Sequence, residues 1–234
     1  PIITIARILG VDDQRLSEFR DWSEGVILGL NPVRTPDETA HMERSQAAMT
    51  DYFTELMTAR RVKAEDDLVS DMVQLQAEGA PLSDTEVRTN LLALLVGGNL
   101  TTTDLIGNGV RLFLLHPEQK AKLVADPSLV PQAVEEILRF EGPVDITGRV
   151  MPEDRTVGGC PMKQTHSVVL GLRAANRDPA AFERPDEFDI TREELADKHQ
   201  AFGGRGKHFC LGANLARLGL KLWIQETVRR FPDL

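Results

Sequence analysis

The chain has 234 residues, with 27 Lys and Arg against 36 Asp and Glu and a formal net charge of −9. An acidic chain lacks the positive surface that phosphate backbones require, and aromatics at 5% leave no base-stacking platform, which argues against nucleic-acid binding. Two cysteines, Cys160 and Cys210, cannot build a disulfide framework and fit a reducing compartment, so a cytoplasmic location is expected.

At roughly 150 residues per domain the length allows one large domain, and residues 1–234 are expected to form a single one. The chain opens at Pro1-Ile2-Ile3 with no basic segment or cleavage site that would mark a targeting signal. Its longest apolar run, Leu91 to Gly98, is less than half of a membrane span, so no membrane segment is expected.

Amphipathic spacing predicts a helix from about Val11 to Leu30, followed by a loop at Asn31-Pro32 and Thr35-Pro36. A second helix is predicted from Asp37 to Arg61, with Met42, Met49, Phe53, Leu56 and Met57 near helical spacing. A third runs from Ala64 to Ala77, stopped by Gly79 and Pro81. Ser83-Asp84-Thr85-Glu86 is a capping box that starts a fourth helix. Its pattern continues to His116-Pro117, about 30 residues or roughly 45 Å. Gly97-Gly98-Asn99-Leu100-Thr101-Thr102-Thr103, at its centre, are poor helix formers. A long helix weakened in its middle suggests a ligand lying against that point; the competing reading is two helices joined by a Gly-Gly turn.

Further helices are predicted from Pro117 to Ala125 and from Pro131 to Phe140. Residues 143–190 change character. Val144, Ile146, Val150, Val157, Val168, Val169 and Leu170 alternate with Gly and Pro, as short strands and turns do. A last helix is predicted from Leu211 to Phe231. The expected fold is mainly α with a small β portion.

Cys210 closes the stretch Phe202-Gly203-Gly204-Arg205-Gly206-Lys207-His208-Phe209-Cys210-Leu211-Gly212, a glycine-rich loop entering a helix N-terminus. The helix dipole, Lys207 and Arg205 favour a thiolate there, which makes Cys210 a candidate metal ligand or nucleophile. An inert buried cysteine is the alternative. A phosphate loop is excluded, because Ala201 and His208 occupy the positions of its first glycine and its hydroxyl residue. Glu136 and Arg139 share one helix face at i and i+3, by itself a weak signal.

Together these pieces resemble the cytochrome P450 family over essentially the whole chain. The loop at Cys210 is similar to its haem-ligand signature Phe-x-x-Gly-x-x-x-Cys-x-Gly. Glu136-Ile137-Leu138-Arg139 matches its Glu-x-x-Arg helix, and Gly97-Gly98-Asn99-Leu100-Thr101-Thr102 its central-helix motif. Asn176-Arg177-Asp178-Pro179 and Pro185-Asp186-Glu187-Phe188 match the stretch leading to the cysteine loop. His208 is similar to the soluble bacterial branch.

By that resemblance Cys210 is the axial thiolate on the iron of haem b. His208 and Arg149 contact the haem propionates, and Phe202, Gly206 and Gly212 complete the cofactor loop. Thr101 hydrogen-bonds the oxygen being activated, with Gly97 and Gly98 leaving room for it. Glu136 and Arg139 form a structural lock. Leu94, Val144, Asp145 and Ile146 face the substrate. The resemblance further implies that the N-terminal two-fifths and the extreme C-terminus of the fold lie outside this chain.

Three departures stand out. Leu100 replaces an acid that helps deliver protons, with Asp104 or a water chain as the substitute; slower or leakier oxygen activation is expected. Phe202 lies eight residues before Cys210 where the pattern expects seven, so either the loop is one residue longer or Gly203 has replaced the aromatic. Glu187 stands where many members place an arginine that completes a triad with Glu136 and Arg139, so another partner is needed.

The implied activity is O2-dependent oxidation of a small organic substrate by a haem-thiolate monooxygenase. Between Gln200 and Gln225 the chain carries Arg205, Lys207, Arg217 and Lys221 and no acid, a patch that would steer an acidic ferredoxin to dock near Arg205 and Lys207. Two other readings stay open. A peroxide-using or atypical oxidase is motivated by Leu100; a non-catalytic haem-binding sensor is disfavoured by the presence of Thr101, Glu136 and Arg139.

Overall fold

The computed structural model describes residues 1–31 and 33–232, so Pro32 of the expected loop lies outside the described residues. The chain divides into two compact units, residues 1–103 and 104–234.

In the first unit, α1 (Ile2–Leu9) departs from the sequence reading, because Ile2, Ile3, Ile5 and Ile8 are β-branched and disfavour helix. Burial of Ile5, Ala6 and Leu9 on one face overrides that preference, and Gly10, at φ +74°, ends the helix. After a 3-10 turn at Asp13–Arg15 come α2 (Leu16–Ile27) and α3 (Pro36–Val62). Thr35 and Glu38 form a capping box at the start of α3, and the periodic Met49, Phe53 and Met57 are buried as expected. The third predicted helix begins four residues later than expected, as α4 (Leu68–Ala77). Asp67 is its N-cap and accepts from the Ser70 amide at 2.8 Å. Asp67 also meets Arg60 at 2.6 Å, and Arg60 donates to the Gly10 carbonyl at 3.2 Å, which ties α1, α3 and α4 at one corner.

The helix α5 (Asp84–Leu115) begins at the expected capping box: the Glu86 amide donates to Ser83 Oγ at 3.2 Å and the Ser83 amide to Glu86 Oε2 at 2.8 Å. It runs unbroken through the Gly97-Gly98 region, which settles the two-helix alternative against the turn. Within the first unit a Cβ at Gly98 would come within 2.9 Å of Ile5 Cγ1, so glycine there permits the close approach of α1.

In the second unit, α6 (Pro117–Ala125) and α7 (Val130–Glu141) follow the expected positions. α7 buries eight of its twelve residues, charged ones among them. β1 (Ile146–Val150) pairs antiparallel with β4 (Ser167–Gly171), and β2 (Arg155–Val157) with β3 (Cys160–Met162). Val144 and Asp145, expected in a strand with Ile146, precede β1, because the chain leaving Gly142-Pro143 reaches ladder pairing only at Ile146. A single turn, α8 (Leu172–Ala175), leads into irregular chain, and α9 (Ala213–Arg230) closes the unit against α7 and α6. Leu112, Leu123, Ile137, Leu220 and Ile224 form its core.

Candidate functional site around the Cys210 loop

The Cys210 loop is built by glycines. Gly203, Gly204 and Gly206 have φ of +85°, +82° and +121°, a region where a side chain is strained. The Cys210 amide donates to the Phe202 carbonyl at 3.1 Å, closing the loop on its aromatic base. Cys210 is exposed, at the end of α9 whose N-cap, Gly212, offers no side-chain cap. A Cβ at Gly212 would sit in ordinary contact with Cys210 Sγ, at 4.0 Å.

Phe202 packs partly buried against the core of the second unit, with ring centroids 5.9 Å from His199 and 6.0 Å from Phe209. Phe202 thus packs at the foot of the loop, and the positive φ of Gly203 and Gly204 turns the chain directly after it. Lys207 and His208 are exposed, and Arg205 donates to the Asp197 carbonyl at 2.7 Å. Arg149, on β1, is half-buried; it donates to Thr147 Oγ1 at 3.0 Å and to the Gly148 carbonyl at 2.7 Å, with no carboxylate partner among the described residues. Asp145 is exposed and lies 3.5 Å from Arg173. Val144 is half-buried and Ile146 is exposed.

Glu136 and Arg139 have fully buried side chains joined at 2.7 and 2.8 Å. Arg139 also donates to the carbonyls of Asn176, Pro185 and Glu187 at 2.9, 2.8 and 3.1 Å, pinning the irregular chain to α7. The third partner is Arg192, whose Nε lies 3.3 Å from Glu136 Oε1. Glu187 instead turns outward to Arg184 at 2.7 Å.

A second network escapes the sequence reading. Glu135, next to Glu136, receives Arg217 at 2.8 and 3.0 Å and His199 at 2.9 Å. Burial alone would raise its pKa, but the hydrogen bonds from His199 and Arg217 outweigh it and hold the carboxyl below its ordinary value. Two consecutive carboxylates on a helix that buries most of its residues were the available signal: α7 cannot bury both unless each has a partner. Arg217 is thus engaged internally and drops out of the expected basic patch.

In the first unit, Thr101 Oγ1 donates to the Gly97 carbonyl at 2.7 Å, one turn back on α5. A Cβ at Gly97 would meet nothing within 4 Å, whereas Gly98 faces Ile5. Leu94 packs partly buried against the core of that unit, and Leu100 is half-buried. In the second unit, Asp104 is exposed and has no hydrogen-bond or ion-pair partner among the described residues.

Among the described residues no group of three or more His, Cys, Asp or Glu could hold a metal ion, so Cys210 is not part of an all-protein metal cluster. No described helix is long and apolar enough to cross a membrane.

Comparison with known proteins places residues 29–232 on the family model for cytochrome P450. Cytochrome P450 107B1 of Saccharopolyspora erythraea is 40% identical over 235 residues, covering 100% of this chain and 56% of that protein. The 6-deoxyerythronolide B hydroxylase of the same organism is 37% identical over 237 residues, again 100% of this chain and 56% of its own length. Among solved structures, P450BioI in complex with a hexadec-9Z-enoic acid-ligated acyl carrier protein matches with a TM-score of 0.92 at 36% identity, covering 99% of this chain and 59% of that one. The chain thus spans a little over half the length of the relatives it matches.

Proposed function

The chain belongs to the cytochrome P450 family, and from that premise we propose that it is part of a haem-thiolate monooxygenase that oxidises a small organic substrate with O2. The carrying observation is Cys210, exposed at the tip of a glycine loop and the start of α9, outside any cluster of three or more metal-ligating side chains among the described residues. A single soft thiolate would suit an iron whose other ligands the cofactor itself brings, so the donor set fits haem b. Residues 1–234 are read as part of one domain, since the family match continues through both units without a break.

Bound haem supplies the oxygen activation: one oxygen atom enters the substrate and the other leaves as water, with two electrons from a donor and two protons. Cys210 would hold the iron. Arg149, free of any carboxylate, and His208 are suited to the propionates. Gly206 and Gly212 keep side chains away from the cofactor, and Phe202 is the base from which the loop rises. The Thr101 hydroxyl, held on the Gly97 carbonyl at 2.7 Å, is positioned to exchange that bond for one to an oxygen-containing ligand, with Gly97 giving space, while Gly98 is taken up by the packing of Ile5. Leu94, Val144, Asp145 and Ile146 are assigned to the substrate side. A ferredoxin-type donor docking at Arg205 and Lys207 is supported by their exposure; reduction should slow as salt rises, and a flat salt profile would remove this partner class.

Leu100 favours a second reading, a peroxide-using oxidase, because a leucine cannot pass a proton to Thr101. Product formed with reduced donor and O2 supports the monooxygenase. Product formed only with added peroxide supports the second reading, and no product by either route leaves a haem-binding sensor.

A further inference from the structure

One carboxylate grips both flanks of the Cys210 loop. His199 lies eleven residues before Cys210 and Arg217 seven after it, on α9. Glu135 Oε2 accepts from His199 Nε2 at 2.9 Å, and the Arg217 guanidinium donates to both carboxylate oxygens at 2.8 and 3.0 Å. The Ala201 amide donates to His199 Nδ1 at 3.2 Å, which leaves Nε2 to carry the proton given to Glu135. The His199 side chain is 1% exposed and that of Glu135 15%.

This grip reaches the cysteine through Phe202. The Arg217 guanidinium lies 4.6 Å over the Phe202 ring, the His199 ring centroid is 5.9 Å from it, and the Phe202 carbonyl accepts the Cys210 amide at 3.1 Å. Between Phe202 and Cys210 lie Gly203, Gly204 and Gly206, residues with the largest backbone freedom to lose on ordering. A loop so rich in glycine does not fix its own tip. We infer that Glu135 is a positioning residue for Cys210: by clasping His199 and Arg217 it immobilises Phe202, and the Phe202 carbonyl then fixes the cysteine. The Glu136–Arg139–Arg192 lock holds a different stretch, residues 176–192, and does not substitute for the clasp.

The inference rests on Cys210 being the haem ligand, and the test separates the two. In the full-length, haem-loaded protein, Glu135→Gln and Arg217→Lys are compared with wild type and with Glu226→Gln, a carboxylate paired only on the surface of α9. The readout is the lifetime, well below the unfolding temperature, of the red-shifted Soret band of the reduced carbon monoxide complex. A parallel readout is the rate at which a maleimide labels Cys210 in haem-free protein carrying Cys160→Ser. Both clasp variants should shorten the band lifetime and speed labelling by about tenfold, as expected for loss of a partly buried charged hydrogen bond, while Glu226→Gln changes neither. Arg217→Lys keeps the charge but cannot bond both oxygens or stack flat, so it carries the test if Glu135→Gln does not fold. Wild-type lifetime and labelling in the folded variants, even with a lower melting temperature, overturn the positioning role. A wild type with no red-shifted band overturns the haem-thiolate reading instead, and the labelling rates still decide the clasp.

Discussion

Arg192 Nε stands 3.3 Å from Glu136 Oε1, and this pairing joins the middle of the irregular chain to the middle of a buried helix. Glu136 therefore serves Arg139 and Arg192 together and also accepts from the Asp189 amide at 2.9 Å. Arg192 in turn donates to the carbonyls of Glu183 and Arg184, each at 2.6 Å.

Glu136→Gln leaves Arg139 buried without its counter-charge and should cost about 3–5 kcal/mol. Arg192→Met removes one of three partners of Glu136 and should cost less, about 1–3 kcal/mol. Urea unfolding midpoints of the full-length protein check the order. Equal effects, or an unaffected Glu136→Gln, would mean that the network is not a lock.

Two glycines of the first unit separate backbone strain from steric conflict. A Cβ at Gly79, where φ is +95°, would meet nothing within 4 Å, so Gly79→Ala should cost only the left-handed penalty of about 1–2 kcal/mol. At Gly10, φ +74°, the same methyl would collide with Asp67 Oδ2 and displace the Arg60 pair, adding about 1–3 kcal/mol. Thermal unfolding should rank Gly10→Ala well below Gly79→Ala; the reverse order would contradict the Asp67 contact.

Asp67 gives the pH dependence of that corner. Burial alone would raise its pKa, but hydrogen bonds from Ser70 and Arg60 outweigh it and hold the carboxyl below its ordinary value. A depressed folded pKa contributes stability that is complete above the unfolded value, about 3.9, and is lost as pH falls through the folded one. Asp67→Asn should therefore destabilise at neutral pH, with the gap to wild type closing on acidification below about pH 4. A gap that stays constant with pH would assign the effect to packing alone.

Leu100 makes the proton supply testable. A positioned acid is worth roughly 10²–10⁴-fold in general catalysis, so Leu100→Asp should raise donor-driven turnover and lower the peroxide released per electron pair. Oxygen-electrode and peroxide assays on the full-length protein check both. Unchanged turnover and peroxide yield would mean that protons arrive without help from that position.

Legibility followed local signals. The capping box at Ser83, the apolar spacing of α3 and the Glu136–Arg139 pair are short-range patterns, and each appears in the structure where its residues stand, whereas the equally local Thr35–Glu38 box falls where the sequence reading places a loop. α1 was hidden because β-branched residues argue against a helix that burial then stabilises. Arg192 and the Glu135 clasp were hidden for another reason. Their partners are 56, 64 and 82 residues apart in the chain, and no local pattern announces a contact at that separation. Even so, adjacent Glu135 and Glu136 on a helix facing the core required two separate sets of counter-charges.

The most direct test is the absorption spectrum of the reduced, carbon monoxide-bound full-length protein beside Cys210→Ser. A strongly red-shifted Soret band in the wild type, absent from the variant, is the predicted result and assigns the thiolate of Cys210 to haem iron. A wild type that folds and binds haem but shows an unshifted band, or the same band with and without Cys210, would contradict it.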